Sequence, residues 1–565
     1  MNKTIAFVSF ESPWFPAGGI AAVMARLPGA VEAASGLPTV VVTPFHEKSA
    51  RIAALGGRSI GEFSLPYGKR ALGISVLHSE SAALWYFLRV RGASGLRPAP
   101  FCGARHPYDM SSAVLTRDSL LFGAAVVKAL PLIASHRDIE PRSVEWNLFA
   151  QDWEAATSLL AGASEPHVSA RFHLTLHNSY DAFASVGDLE SFRIDPAACP
   201  GETILQRAIP RAEAPLFTVS RQFALDFTDE LLEREVMAPH LQELLKQAGV
   251  TGVDNGPFRP PEADSEALRR ALGGDFGRLQ AWKADSRRAA LKALDAHQAT
   301  PKRPVWGDKG RFRRGEAPWF VMAGRDDPRQ KGYDVAVAAI EDYLATHHGQ
   351  ADCAQFLFLP MPGDEGLAGL TFLKSLAKRY PEDVLAFPFI WVEGFGSALK
   401  GTAYGLMPSL YEPFGMANEL YAVGCVGIAR ATGGNIEQVV PYRDCESFTP
   451  AVEARARRFH ASSAAPTGIL FREEDGIPTA RADWDAINAA GYDPAGGAPS
   501  RVQERRAYPL FDEMARQLRL AIEDGIRVYR DPALYYRMLA AGVEHVQATF
   551  SWELAGRAYA AKVGR

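Results

Sequence analysis

Two consecutive doubly wound α/β domains are the architecture this sequence predicts, on three observations. Short apolar runs rich in β-branched and aromatic residues alternate with amphipathic helical patterns. The alternation stops in a polar, Pro- and Arg-rich stretch and then restarts. The 565 residues are also too many for one ordinary core. Strands that alternate with helices form a parallel sheet covered on both faces.

In the first half the candidate strands are TIAFVSF, PTVVVTPF, VEWNLFAQD, FHLTLHN and PLFTVS. AAVMARLPGAVEAA and SLLFGAAVVKAL read as helices between them. The stretch from Asn255 to Glu316 reads as a domain boundary with a partly helical linker. Beyond it come the strands APWFVMAGR, AQFLFLP, FPFIWVEG, YGLMPS and GCVGIARATGG, with GYDVAVAAIEDYLATHH as a helix. TGILFRE is one further strand in a polar region from Tyr442 to Tyr508, whose tail GYDPAGGAPSRVQERR reads as loop. Two helices close the chain, one capped by Asp531 with Pro532 in its first turn, the other capped by Ser551. The expected domains are 1–256 completed by 549–565, and 257–548 with insertions near 443–465 and 474–508.

The composition, 47% hydrophobic and 22% charged, is that of a globular protein, and a net charge of -4 gives no reason to expect nucleic acid or an anionic membrane as partner. An anionic ligand must therefore be met by local cations. Five scattered cysteines without CxxC spacing argue against a disulfide framework or a structural zinc site. The apolar start is broken by Glu11 and Pro13, and no run of about 18 consecutive apolar residues is found, so a cytoplasmic protein is expected.

Ligands of doubly wound folds bind beyond the carboxyl ends of strands, and two such domains facing each other would make a cleft there. The chemistry-bearing residues follow strands. Glu412 comes after YGLMPS, with Pro413 and Gly415 shaping a tight turn; a carboxylate there accepts hydrogen bonds from sugar hydroxyls, or equally caps the next helix. Glu419, further on, reads as a supporting or solvated acid. Thr432, Gly433 and Gly434 open a helix whose N–H groups would face a diphosphate, although an ordinary strand-to-helix turn reads the same way. Arg325 and Lys331 supply two cations for the same anion, or are surface charges in a loop that also holds Asp326, Asp327 and Arg329. The adjacent aspartates read as solvated, and no metal is expected.

In the first half His177 ends a strand, where it could donate to a sugar hydroxyl or be a satisfied core-edge histidine. Gly18 and Gly19 lie in the loop after the first strand, Asp152 follows another strand, and Asn255 lies in the turn at the domain crossing.

Taken in order, these stretches resemble the glycogen and starch synthases, retaining glycosyltransferases of the two-domain GT-B type. The carriers are FVSFESPWFPAGGIAAV, FAQDWEA, LTLHNSY, FTVSRQFA, GVDNGPF, AGRDDPRQKGYD, LMPSLYEPFGMANELYAVG, ATGGNIEQVV, TGILF and FSWELAGRAY, spread over nearly the whole chain. The resemblance implies a nucleotide-sugar donor, ADP-glucose or UDP-glucose, a glucan acceptor and no cofactor. It implies that Arg325 and Lys331 neutralise the donor diphosphate, Glu412 holds the donor sugar and Thr432 to Gly434 contact the distal phosphate. His177 would lie against the transferred glucose, Asp152 and Asn255 would line the cleft, and the last helix would cross back to the first domain. The chain departs from the bacterial pattern at Pro16 and Ala17, where the Gly-Gly loop lacks its lysine, and at Ala22, where an acid is usual. Arg325 and Lys331 are also one residue further apart than in the bacterial synthases. Two alternatives stay open: transfer to a small acceptor, and a nucleotide-sugar or glucan-binding protein without turnover.

Overall fold

A computed structural model describes residues 2–93, 95–165, 167–312, 317–350, 352–363, 365–477, 479–489 and 501–564. The chain divides into two compact units, Met1–Gly256 with Ser551–Arg565, and Pro257–Phe550.

The first unit is built on a nine-stranded sheet: β1 (Asn2–Val8), β2 (Thr39–Pro44), β3 (Arg58–Tyr67), β4 (Arg70–His78), β5 (Trp85–Arg91), β6 (Val144–Gln151), β7 (Ala170–Leu176), β8 (Leu216–Thr218) and β9 (Val250–Gly252). Their order is β3-β4-β5-β2-β1-β6-β7-β8-β9. The apolar runs of β1 and β2 are buried on both faces, as central parallel strands require. The sheet is mixed rather than parallel, because β3, β4 and β5 pair antiparallel. The expectation missed this meander; its signals are the alternating exposure of β3 and a Gly68 turn at φ +59°.

Order reverses between β1 and β6, so the loops after β1, β6 and β7 share one end of the sheet. The last helix, Trp552–Val563, packs against the helix Leu27–Ser35. Its Tyr559 hydroxyl lies 3.0 Å from Thr175 Oγ1. Among the described residues one helix, Ser112–His136, is long and apolar enough to cross a membrane, which the sequence reading did not anticipate. In its most apolar window 72% is buried inside the structure. It lies close against the helix Asp152–Gly162, where Thr157 Oγ1 donates to Ser119 O at 2.7 Å.

The second unit carries a six-stranded parallel sheet: β10 (Trp319–Arg325), β11 (Gln355–Met361), β12 (Val384–Ala386), β13 (Tyr404–Met407), β14 (Val426–Arg430) and β15 (Ile469–Phe471), in the order β12-β11-β10-β13-β14-β15. Its reversal falls between β10 and β13. FPFIWVEG is not a strand. Pro388 offers no N–H to a ladder, the Phe387 and Trp391 rings stack at 4.2 Å instead, and Val392 starts a helix.

The expected linker is part of this unit. Its helices Ser265–Leu272 and Gly277–Ala296 are anchored by Lys283, whose Nζ donates to the carbonyls of Lys400, Thr402 and Gly424 at 2.5, 2.6 and 2.7 Å. The polar region after Tyr442 forms helices Pro450–Ala456, Ala480–Ala489 and Arg501–Arg505 around β15. RVQER is therefore helical, not loop; residues 491–500 of that expected loop lie outside the described residues. A 21-residue helix, Pro509–Tyr529, precedes the two closing helices, which are capped by the Asp531 and Ser551 side chains as expected.

Candidate functional site

In the second unit the strand order places the ends of β10 and β13 side by side, and the loops that follow them meet. Lys331 Nζ donates to Glu412 Oε2 at 2.8 Å, and the Ser409 hydroxyl donates to the same oxygen at 2.8 Å. The Leu410 N–H donates to Gln330 O at 2.7 Å, which stitches the two loops through their backbones. Arg325 is the last residue of β10 and half-buried. Lys331 and Glu412 have side chains 29% and 12% exposed, so the pair is screened from bulk water yet within a ligand's reach. An ammonium has three donors, and one spent on Glu412 leaves others for an anion.

Glu412 is not a helix cap. The following helix, Ala417–Ala422, has Met416 at its N-cap and no side-chain cap bond. Glu419 accepts from the Phe258 N–H at 2.8 Å and pairs with Arg259 at 3.4 Å, so it ties down the chain's entry into this unit. Burial pushes its carboxyl pKa up.

β14 neighbours β13, which brings the Thr432–Gly434 turn against the Glu412 loop. The Gly434 N–H donates to Glu412 O at 3.1 Å and the Thr432 N–H to Arg430 O at 2.8 Å. Those two groups are engaged within the protein, against the expectation that they face an anion, and the helix they open, Asn435–Gln438, has only four residues. Close approach explains the glycines. A β-carbon on Gly433, at φ +47°, would lie 1.6 Å from Glu412 O, and one on Gly415, at φ +97°, would lie 2.3 Å from Asn435 Oδ1.

Beneath this turn is a buried ion pair that sequence reasoning missed. Arg430, 1% exposed, donates through Nη1 to Leu410 O at 2.6 Å and through Nε to Glu473 Oε2 at 2.9 Å. Burial alone would raise the Glu473 pKa, but the fields of Arg430 and Arg472 prevail and hold it at about 2.

In the first unit β6 and β7 are neighbours, and Asp152 and His177 follow them. Asp152 is 3% exposed and sits at φ +60°, a left-handed conformation that costs a non-glycine residue about 1–2 kcal/mol. The strain aims its carboxylate: Oδ1 accepts from the His177 N–H at 2.5 Å and Oδ2 from Asn178 Nδ2 at 2.9 Å. His177 Nε2 lies 2.8 Å from Gln151 Oε1, while Gln151 Nε2 donates to Phe149 O at 3.1 Å. The second bond orients the amide, so its oxygen must face the ring, and His177 carries its proton on Nε2. Burial pushes the His177 pKa down to about 4. Its remaining nitrogen, Nδ1, is an acceptor, which corrects the expectation that this histidine donates to a sugar.

Glu11 is the other residue that sequence reasoning passed over, although it follows β1 as Asp152 follows β6. It is 2% exposed, and Oε2 accepts from the N–H groups of Ala17 and Gly18, both at 3.0 Å. These amides of the Gly-Gly loop are thus turned onto an internal carboxylate. A β-carbon on Gly19 meets no described atom within 4 Å. Glu11, Asp152 and Glu154 all have raised pKa values, first from burial and then, for Asp152 and Glu154, from the neighbouring carboxylates. Asn255 is buried at the end of the unit, beside Gly256, which packs on the backbone of Trp552.

Asp326 is buried and paired with Arg501 rather than solvated. Among the described residues no group of three or more His, Cys, Asp or Glu side chains is placed to hold a metal ion.

With the strand order and both strand-end clusters established, the class of fold is defined. The chain matches the catalytic domain of starch synthase IV from Arabidopsis thaliana, solved bound to ADP and acarbose, with a TM-score of 0.57 and 17% identity over 95% of this chain and 99% of that one. It also matches the N-terminal domain of a Candida albicans trehalose-6-phosphate phosphatase, with a TM-score of 0.52 and 10% identity over 100% of this chain and 96% of that one. The chain has the GT-B glycosyltransferase fold.

In sequence, a stretch of 78 residues is 36% identical to a glycogen synthase of Mycoplasma mobile. That stretch is 13% of this chain and spans only 15% of the relative's length. No protein-family model matches the chain.

Proposed function

We propose that the protein is a retaining glucosyltransferase that moves glucose from ADP-glucose or UDP-glucose to an α-1,4-glucan. The observation that carries this reading is the Lys331–Glu412 contact at the β10/β13 reversal, with Arg325 at the end of β10. The starch synthase fold, bound there to ADP and acarbose, and the glycogen synthase stretch support it.

In this reaction the bond between sugar and diphosphate breaks, and negative charge grows on the departing diphosphate. Arg325 and Lys331 are the fixed charges that stabilise it. Glu412, steadied by Ser409 and Lys331, holds the donor sugar by accepting from its hydroxyls. His177 offers Nδ1 as an acceptor to a sugar hydroxyl, and Asp152 keeps the histidine backbone in place. Gly415 and the Thr432–Gly434 turn shape the floor of the donor site, and Gly18, Gly19 and Asn255 belong to the sugar side.

The acceptor is uncharged in this proposal. Glu11, Asp152 and Glu154 are buried, and neighbouring carboxylates add to burial in raising the pKa of Asp152 and Glu154, so this cluster offers no positive charge to a sugar phosphate. A small neutral acceptor is the second reading.

The test is to incubate the protein with ADP-glucose or UDP-glucose alone, with glycogen, with a short maltooligosaccharide and with glucose 6-phosphate, measuring nucleotide release and polymer growth. Growth of glycogen is expected. Release only with a small neutral sugar favours the second reading, and binding of nucleotide sugar without release with any acceptor removes the enzymatic assignment.

A further inference from the structure

The second expected insertion, 474–508, contains the short helix Arg501–Arg505, which packs within the second unit against the loop bearing Lys331. Arg501 and Arg505 are each 1% exposed. Arg501 Nη2 donates to Asp326 Oδ1 at 2.7 Å, with Nε 3.6 Å from Asp334 Oδ2, and its guanidinium lies 4.6 Å from the centre of the Phe372 ring. Arg505 Nη1 donates to Asp334 Oδ2 and to Pro328 O, both at 2.6 Å, while Nη2 donates to Ile487 O at 2.9 Å. Asp326 and Asp334 bracket Lys331 in the sequence. The same turn is joined on its other side to the Glu412 loop, through Leu410 N–H to Gln330 O and through Lys331 to Glu412.

We propose that Arg501 and Arg505 are positioning residues for the donor site: they neutralise Asp326 and Asp334 and hold the 326–334 turn where Lys331 meets Glu412. The electrostatic reason is direct. Without the guanidiniums, two buried carboxylates would compete with a donor diphosphate for Lys331 and Arg325. The planar fork matters as well as the charge, since Arg505 grips a carboxylate and two backbone carbonyls at once. This part of the insertion therefore serves the donor loop rather than the acceptor. The diphosphate part of the inference rests on the function proposed above; the bracing of the turn does not.

The test uses the full chain with Arg501→Met and, separately, Arg505→Met. Three quantities are read: amide hydrogen exchange in residues 326–334, affinity for ADP and UDP by calorimetry, and the KM and kcat of transfer. In variants that keep the wild-type circular dichroism spectrum, exchange in that turn should rise and nucleotide affinity should fall, each about tenfold. Donor KM should carry more of the loss than kcat. Exchange and affinity within twofold of wild type in a folded variant would overturn the proposal. Should the methionine variants fail to fold, Arg505→Lys, which keeps the charge but loses the fork, decides on the same readings. If the wild-type protein binds neither ADP nor UDP, the donor reading fails, and the exchange data still decide whether the helix braces the turn.

Discussion

Gly433 approaches Glu412 so closely that a β-carbon on it would stand 1.6 Å from the Glu412 carbonyl oxygen. The two residues lie in loops after neighbouring strands, so the position of the carboxylate depends on a glycine 21 residues further on. Gly433→Ala forces both a clash and an L-residue at φ +47°. A loss of about 1–3 kcal/mol in unfolding free energy is expected, with transfer falling further than stability because the Glu412 loop moves. Thermal melting and initial rates measured together check this; wild-type rates in that variant would count against the loop's role.

In the proposed reaction Lys331 is a cation that faces the leaving group. Lys331→Ala is expected to lower kcat about 10²–10³-fold, about 2.7–4 kcal/mol of barrier, with the fold retained. Glu412→Ala is expected to abolish transfer without unfolding the chain. Steady-state kinetics beside circular dichroism separate the two variants, and near-normal turnover in either would remove its residue from the site.

His177 should not shape the pH profile near neutrality. Its pKa is pushed down to about 4 by burial, so it is neutral throughout the range from pH 5 to pH 8. His177→Gln is expected to lower kcat/KM by a roughly constant factor across that range. An inflection near pH 6.5 in the wild type that vanishes in the variant would show that the ring titrates in solution.

Glu233, 1% exposed in the π-helical turn Leu232–Met237, has its pKa raised to about 8 by burial. The folded state therefore holds a proton that the unfolded state releases above about pH 4.3. Stability from this group is fully present below that pH and is lost as pH rises through about 8, at no more than about 1.4 kcal/mol per pH unit. Glu233→Gln removes the dependence, and melting temperatures of wild type and variant should converge at low pH and diverge in favour of the variant toward pH 8.

Arg430 and Glu473 form a buried pair beneath the Glu412 loop and the Thr432–Gly434 turn. Arg430→Met leaves Arg472 as the remaining guanidinium beside the buried Glu473 carboxylate and is expected to cost about 1–3 kcal/mol. Exchanging both partners for apolar residues of similar size should recover most of that loss, as read by urea midpoints; equal destabilisation by single and double variants would show that packing, not charge, dominates.

The two α/β series, the strand-end positions of Arg325, Lys331, Glu412, Asp152 and His177, and the caps at Asp531 and Ser551 were legible in the sequence. Each is a local matter. Doubly buried strands need unbroken apolar runs, helices need capped first turns, and reversals need residues such as glycine and proline. The meander β3–β5 was missed because alternating exposure is a fainter pattern than an apolar run, and FPFIWVEG was misread because its aromatic density comes from ring stacking rather than from strand pairing.

By itself, then, the sequence determined the kinds of element and which residues end them, since those choices are made over a few neighbouring residues. Only the tertiary structure decided that Lys331 meets Glu412 across 81 positions, that Gln151 sets the protonated nitrogen of His177, and that arginines beyond residue 500 neutralise the aspartates around Lys331. These pairings depend on strand order and on the burial of charge, and a buried charge takes its partner from whatever the fold brings within reach, however distant in the chain.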